Sequence, residues 1–287
     1  MATLPNVVLD LPNRPENVLP VREALTGIAA ATGLDPADLS DIRTAATEAC
    51  NNVVLHAYAG EQGSMEVEIG AGHGFLAVVV RDHGVGMPPE LPAGGEETGI
   101  GLPVIRALAR HVEFREPPGG GTEVRMEFAA PGSRDLSSAA ASKQPGASSD
   151  GEAALYEQSA NHGSSATVTI APAGLARAVL PRVLTVFAAR SHFTTDRVSD
   201  AVMLADAIVA HGAGAIAGSS LRVSLRAAPR SLAIEVGPLE PGRAHELVAE
   251  SDVQGLGAIV GKLTDGHEVL ARGSHDVLAL RLQDPRR

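Results

Sequence analysis

The first 130 residues alternate between two hydrophobic periods, and each change of period marks an element. Val7 to Leu11 reads as a short strand. Val21 to Ala31 follows the 3.6-residue period of an amphipathic helix, with Pro20 near its start and Gly33 as its stop. Asp35-Pro36-Ala37-Asp38 supplies an N-cap, a proline at the first helical position and an acid in the first turn, so the spacing predicts a long helix from Pro36 to about Ala57. Gly60 and Gly63 end it. Met65, Val67 and Ile69 then alternate with Glu66 and Glu68, as in a strand with one dry face, and Phe75 to Val80 is apolar enough for a central strand. His83 to Glu97 has no hydrophobic period and is rich in Gly, Pro and Glu, which predicts a long working loop such as a lid. Gly101 to Arg110 is helical again, with Pro103 tolerated in the first turn, and His111 to Arg115 with Val124 to Phe128 form a closing strand pair.

Residues 130–163 are of different material. Small and polar residues dominate (SSAAASKQPGASSDGEAA) and large apolar anchors are few, so this stretch is expected to be a flexible linker between residues 1–129 and 164–287. Beyond it the pattern repeats. Leu76-Ala77-Val78-Val79-Val80 aligns with Leu232-Ala233-Ile234-Glu235-Val236, an offset of 232−76=156. The same offset brings Gly99-Ile100-Gly101 onto Gly255-Leu256-Gly257 and Ile42-Arg43-Thr44-Ala45 onto Val198-Ser199-Asp200-Ala201, and Val124 falls on Val277 at a slightly shorter one. The expectation is a second copy of one α/β domain in tandem; the rival reading is two unrelated α/β domains. At the common offset Glu48 becomes Leu204, Asn52 becomes Ile208 and Asp82 becomes Pro238, so the copy is expected to be degenerate and to bind no nucleotide.

Composition narrows the function. With 287 residues the chain has room for two domains, and 44% hydrophobic residues with only 2% aromatic ones leave core filling to Val, Leu, Ile and Ala. A formal charge of -11 argues against nucleic acid as a direct partner, because phosphate binding requires a basic surface. No apolar stretch is long enough to span a membrane and the N-terminus lacks a signal-peptide pattern, so a cytoplasmic location is expected. The single cysteine, Cys50, reads as a small apolar filler of the central helix.

Candidate chemistry clusters in four places. In a regular helix Glu48, Asn52 and His56 recur every four residues and share one polar stripe; taken alone, that stripe is equally a solvated face. Its companions are Asp82-His83-Gly84-Val85-Gly86 at a strand end, Thr98-Gly99-Ile100-Gly101-Leu102 at a helix start, and Gly119-Gly120-Gly121-Thr122 before a strand. For a purine nucleotide with a divalent cation, each piece has a use. Asp82 can accept from an exocyclic N6 amine, which fits adenine and opposes guanine. Gly84 and Gly86 remove side chains where a base approaches the backbone. Asn52 offers a neutral oxygen to a hard cation, Gly99 and Gly101 expose amides to phosphates, and Glu48 can act as general base on an attacking hydroxyl. His56 and His83 are too isolated to make a zinc site and read as structural.

These motifs resemble the Bergerat-fold (GHKL) ATPase domain, and within it the bacterial anti-sigma factor serine/threonine kinases. The likeness runs from LPNRPENV through EACNNVVLHAY, VVVRDHGVGM and TGIGLPVIRAL to GGGTEVRMEF. It implies a two-layer α/β sandwich with a mixed, mostly antiparallel sheet, and ATP and Mg²⁺ as cofactors. It also implies Glu48 as base and Asn52 as Mg²⁺ ligand. Asp82 would meet adenine, Gly84 and Gly86 form a first glycine box, Gly99 and Gly101 a second, and Gly121 and Thr122 the closing Gly-Thr. The implied activity is phosphorylation of a serine on an anti-anti-sigma (STAS-like) antagonist, with a sigma factor as the second partner. The alternative is a regulator that binds ATP and sequesters a partner without phosphoryl transfer. Two departures stand out: family members are commonly single-domain homodimers, whereas this chain is long enough for an intrachain pseudo-dimer, and the lid PPELPAGGEE has no Lys or Arg to meet a γ-phosphate.

Overall fold

The computed structural model describes residues 5–86, 101–130, 164–212, 214–251 and 258–285. The lid stretch and Gly99, most of the linker, and Gly255 to Gly257 lie outside the described residues. The first half runs β1 (Val7–Pro12), α1 (Val18–Thr32), α2 (Pro36–Asn52), a π-helical turn (Val53–Ala57), β2 (Ser64–Gly72), β3 (Phe75–Asp82), α3 (Gly101–Leu108), β4 (His111–Arg115) and β5 (Glu123–Ala129). The second half runs β6 (Ser164–Ile170), α4 (Ala176–Arg190), α5 (Thr195–Gly212), β7 (Leu221–Ala228), β8 (Ser231–Leu239), α6 (Arg243–Glu250), α7 (Ile259–Leu263), β9 (Gly266–Arg272) and β10 (His275–Gln283).

Local chemistry sets these boundaries as the sequence predicts. Asp35 caps α2, its carboxylate accepting from the Ala37 amide at 2.8 Å with Pro36 at the first helical position. Gly33 closes α1, its N–H bonded to the Ala29 carbonyl at 2.9 Å. Cys50 is fully buried, and burial pushes its thiol up to about 12, which keeps it protonated and inert.

The strands form one sheet in the order β4-β5-β3-β2-β1-β6-β7-β8-β10-β9, antiparallel at every described pairing. This corrects the expectation of a mixed sheet and of two separate sandwiches. The two halves instead meet at the centre, where β1 and β6 pair from Val7↔Ile170 to Asp10↔Thr167. The strand order of the second half retraces that of the first about this seam. One face of the sheet carries the core (Leu9, Val67, Val78 and Met126 in the first half; Val168, Val223, Ile234 and Leu280 in the second), covered by the helices. The opposite face is polar. There Arg81 gathers the carboxylates of Glu66, Glu68 and Glu123, and burial raises the Glu66 carboxyl above its usual range against the pull of that guanidinium.

Strand register refines the correspondence between the halves. Through β2, β3, β7 and β8 the offset of 156 holds, and Asp82 corresponds to Pro238. In the closing strand Val80 pairs with Val124 while Val236 pairs with Leu278, so Val124 corresponds to Leu278 and not to Val277, which sits at an irregularity between Asp276 and Leu278. The helices follow another offset. Asp35, which caps α2, corresponds to Thr194 at the start of α5 (194−35=159). The same offset takes the buried Ile42, Ala45, Ala46 and Ala49 onto the buried Ala201, Leu204, Ala205 and Ile208. Leu204 and Ile208 are therefore counterparts of core alanines, and Glu48 and Asn52 correspond to Ala207 and His211. A second half that is three residues shorter between its helix and β7 explains the misalignment at constant offset.

At the seam α1 lies so close to α4 that a Cβ built on Gly27 would stand 2.5 Å from the Ala178 carbonyl oxygen and 3.0 Å from the Val179 Cα. Both atoms belong to backbone and cannot rotate aside. Gly27→Ala is expected to lower unfolding free energy by about 1–3 kcal/mol, the cost of overpacking, in urea denaturation. A change below about 0.5 kcal/mol would show that the two helices separate freely.

Candidate functional site

The site begins where α2 loses its regular pitch. Over Val53–Ala57 the helix widens to a π turn, a distortion that recurs at functional positions. The turn breaks the predicted stripe: Glu48 and Asn52 stay half-buried above the sheet, whereas His56 is exposed to solvent. The same turn frees the Ala57 carbonyl to accept from the Val85 amide at 2.8 Å, which docks the segment after β3 onto the end of the helix. Gly84 makes this approach possible, since a Cβ there would lie 1.8 Å from the Ala57 oxygen.

Asp82, the last residue of β3, is only 3% exposed. Its Oδ1 accepts from the amides of Gly84 at 2.9 Å and Thr122 at 3.2 Å, while its own N–H donates to the Thr122 carbonyl at 2.9 Å. Oδ2 has no donor among the described residues. Gly121 completes the arrangement: its φ of +93° suits glycine, and a Cβ would stand 2.1 Å from the Asp82 carbonyl oxygen. Gly86 follows with φ +78° and would bring a Cβ to 3.5 Å from the Gly121 oxygen. Thr122 thus serves the site through its backbone, which the residue type does not reveal.

Gly101 opens α3 directly over α2. A Cβ on it would meet Glu48 Oε2 at 3.0 Å and Asn52 Oδ1 at 3.5 Å, so the two side chains converge on one point at the helix start. The structure brings Glu48, Asn52 and Gly101 together at the start of α3, and Asp82, Gly84, Gly86 and Thr122 together at the end of β3, with the π turn of α2 docked on the second group through Ala57; Gly99 lies outside the described residues. A residue not foreseen is Tyr58. Its hydroxyl donates to the Ser64 carbonyl at 2.6 Å and accepts from the His83 amide at 2.9 Å, pinning the segment after β3 from the other side. One of only two tyrosines, placed just after a helix and before a polar turn, was the available signal.

These features fit a nucleotide and a hard cation. A cradle with no room for Cβ atoms lies beside a buried carboxylate with one oxygen unused, and a second carboxylate and an amide oxygen converge nearby. Among the described residues no group of three or more His, Cys, Asp or Glu could hold a metal unaided, and no helix is long and apolar enough to cross a membrane. The donors present suit a cation that brings its remaining oxygens from a ligand.

Asp82→Ala would strand two amides in a nearly closed site and is expected to lower unfolding free energy by about 1.5–3 kcal/mol. Asp82→Asn keeps an oxygen in place and should cost less than half of that. Equal losses for the two variants in urea denaturation at pH 7 would mean that the bonds at Oδ1 are not what holds this corner together.

The family model of the histidine kinase-like ATPase domain matches residues 11–128. Among curated proteins the chain is similar to serine-protein kinase RsbW of Bacillus cereus (strain AH187), 27% identical over 132 residues that cover 42% of this chain and 82% of that protein. The protein of the same name in Bacillus thuringiensis (strain Al Hakam) is 26% identical with the same coverage. Among solved structures, crystal form III of TP0453 covers 98% of this chain and 92% of its own at 8% identity, but a TM-score of 0.35 is too low to inform the fold. Residues 11–128, with their π turn, buried Asp82 and converging Glu48 and Asn52, match the histidine kinase-like ATPase domain, and the same stretch is similar to the RsbW serine-protein kinases.

Proposed function

We propose that residues 11–128 bind ATP with Mg²⁺ and catalyse phosphorylation of a serine on an antagonist protein of the anti-anti-sigma type, and that the same chain silences a sigma factor by binding it. The observation that carries this reading is the convergence of Glu48 Oε2 and Asn52 Oδ1 at the start of α3. Binding of a nucleotide requires Asn52 and Asp82 but has no need of a carboxylate at position 48.

The geometry supports these roles. Asp82, held by two amides through Oδ1, presents Oδ2 as an acceptor for the N6 amine of adenine. Asn52 gives the cation a neutral oxygen, which adds no negative charge beside a triphosphate. Bound MgATP supplies the phosphoryl group, with ADP as its leaving group. Glu48 takes the proton of the incoming serine hydroxyl as the serine oxygen becomes an ester oxygen. Serine becomes a better nucleophile only as that proton leaves, so Glu48 acts on the rate and hardly on ATP affinity.

The remainder of the chain is assigned to pairing. Single-domain relatives of the anti-sigma type are resembled here by one half only, and the β1–β6 seam offers within one chain what two subunits would otherwise supply. The second half is the degenerate copy in this reading. Its positions matching Glu48, Asn52 and Asp82 hold Ala207, His211 and Pro238, none of which offers a carboxylate. Without a carboxylate at the Glu48 position, or an acceptor for the N6 amine, that half is assigned no turnover.

Calorimetry should find Mg-ATP bound in preference to Mg-GTP, with Asp82→Asn weakening ATP by about 1.5–3 kcal/mol. Glu48→Gln should keep ATP affinity within about threefold while transfer of labelled phosphate to the antagonist falls by at least about 100-fold, the lower range for loss of a general base. An antagonist that binds tightly yet is never labelled by the unaltered protein would favour the alternative of a regulator without phosphoryl transfer. Sedimentation combined with nucleotide titration should give one ATP per monomeric chain. Two per chain would refute the degenerate second half, and a tight homodimer would refute the monomeric pseudo-dimer.

A further inference from the structure

On the polar face of the sheet the second half carries an open cleft of about 130 Å³, lined by Thr169, Ser220, Arg222, Ser224, Glu235 and His275 among others. Strand register shows what occupies the same place in the first half. At the offset of 156 that holds through these strands, Gly237 stands for Arg81 (237−81=156), Arg222 for Glu66 and Ser224 for Glu68. Val277, just before Leu278, stands for Glu123, just before Val124. The guanidinium that gathers charge on the first half, and all three of its carboxylates, are therefore missing from the second. The cleft is the space they leave. Its floor lies at Gly237, where a Cβ would stand 3.1 Å from the Asp276 carbonyl oxygen and 3.2 Å from Val277 Cγ2. Decay of an ion network would remove charges and leave aliphatic filling. Here two charges stand where the first half has none of that sign: Arg222 in place of a carboxylate, and Glu235 in place of the buried Val79.

We infer that this cleft binds a small α-amino acid as its zwitterion, with the ligand carboxylate on Arg222 and its ammonium group on Glu235. An anion alone would have to approach Glu235, and a cation alone would have to approach Arg222; a ligand carrying both charges avoids either penalty. Arg222 pairs with Gly237 and Ser224 with Glu235 across the same two strands, so the two charged residues are diagonal neighbours, about 7–8 Å apart at the backbone. One compact ligand can bridge that span. A guanidinium fork matches a carboxylate in a two-point contact, and the hydroxyls of Thr169, Ser220 and Ser224 can complete the shell of the head group. The volume limits the rest. A cavity of about 150 Å³ accepts benzene, a ligand of about six non-hydrogen atoms, so the side chain is short and lies against Pro238 and Val277. Thr169 pairs with Val8 across the seam, so an occupied cleft borders the junction of the two halves. The inference is independent of the kinase reading, since none of Glu48, Asn52 or Asp82 lines the cleft.

The test uses the full chain with ¹³C-labelled valine methyl groups, the Val277 signals identified by their loss in Val277→Ala. Glycine, L-alanine and L-serine are titrated at constant ionic strength, beside propionate, propylamine and inorganic phosphate as probes that carry one sign of charge. The amino acids should shift the Val277 signals saturably, with L-alanine bound at least tenfold tighter than any of the single-charge probes. Arg222→Gln and Glu235→Gln should each weaken L-alanine at least tenfold, with urea midpoints reporting that both variants fold. If either fails to fold, the comparison of probes on the unaltered chain still decides. No saturable shift with any of the three amino acids would overturn the proposal. So would propionate, propylamine or phosphate binding as tightly as L-alanine, which would make the cleft a site for a single charge, and so would unchanged L-alanine affinity in the two folded variants.

Discussion

Four residue pairs between β1 and β6, from Val7↔Ile170 to Asp10↔Thr167, join five strands on either side into a single sheet, and most other features of the molecule depend on this seam. Without it both β1 and β6 would be edges, each with a row of open amides and carbonyls ready to pair with another chain. The seam also aligns the helical layer. α1 meets α4 at Gly27, where no side chain fits between the backbones, and α2 is thereby held over the sheet at the height where Glu48 and Asn52 reach the start of α3.

Below that layer, the site is built from close backbone approaches more than from side chains. The Ala57 carbonyl against Gly84, the Asp82 carbonyl against Gly121, and Gly101 against the tips of Glu48 and Asn52 leave three places where a methyl group would not fit. Each is a direct contact that fixes a segment bordering the site. Asp82 pays the desolvation of a buried carboxylate back through two amide donors, which leaves its second oxygen directed by geometry and not by chance. The π turn belongs to the same scheme, because it is the widened helix end that turns the Ala57 carbonyl to the segment after β3.

The two faces of the sheet divide the work of the chain. The helix-covered face is dry and nearly all aliphatic, in keeping with a composition poor in aromatics. On the other face the charges compensate one another across strands, with Arg81 serving three carboxylates at once.

Much of this was legible in the residues themselves. The caps Asp35 and Gly33, the alternation through Met65, Val67 and Ile69, and the ordered motifs around Glu48, Asp82 and Gly101 fixed the elements of the first half and the corner where chemistry gathers, because caps, periods and glycine turns act through neighbours in sequence. Three things were decided only by the tertiary structure. The π turn removed His56 from the stripe, since its geometry depends on the turn that Gly84 and Tyr58 dock against it. The counterparts of Glu48 and Asn52 moved to Ala207 and His211, since a constant offset cannot see a shortened connection that strand register and helix burial expose. The joining of the halves into one antiparallel sheet was also out of reach, because hydrogen bonds between β1 and β6 link residues some 160 positions apart and leave no local pattern in either strand.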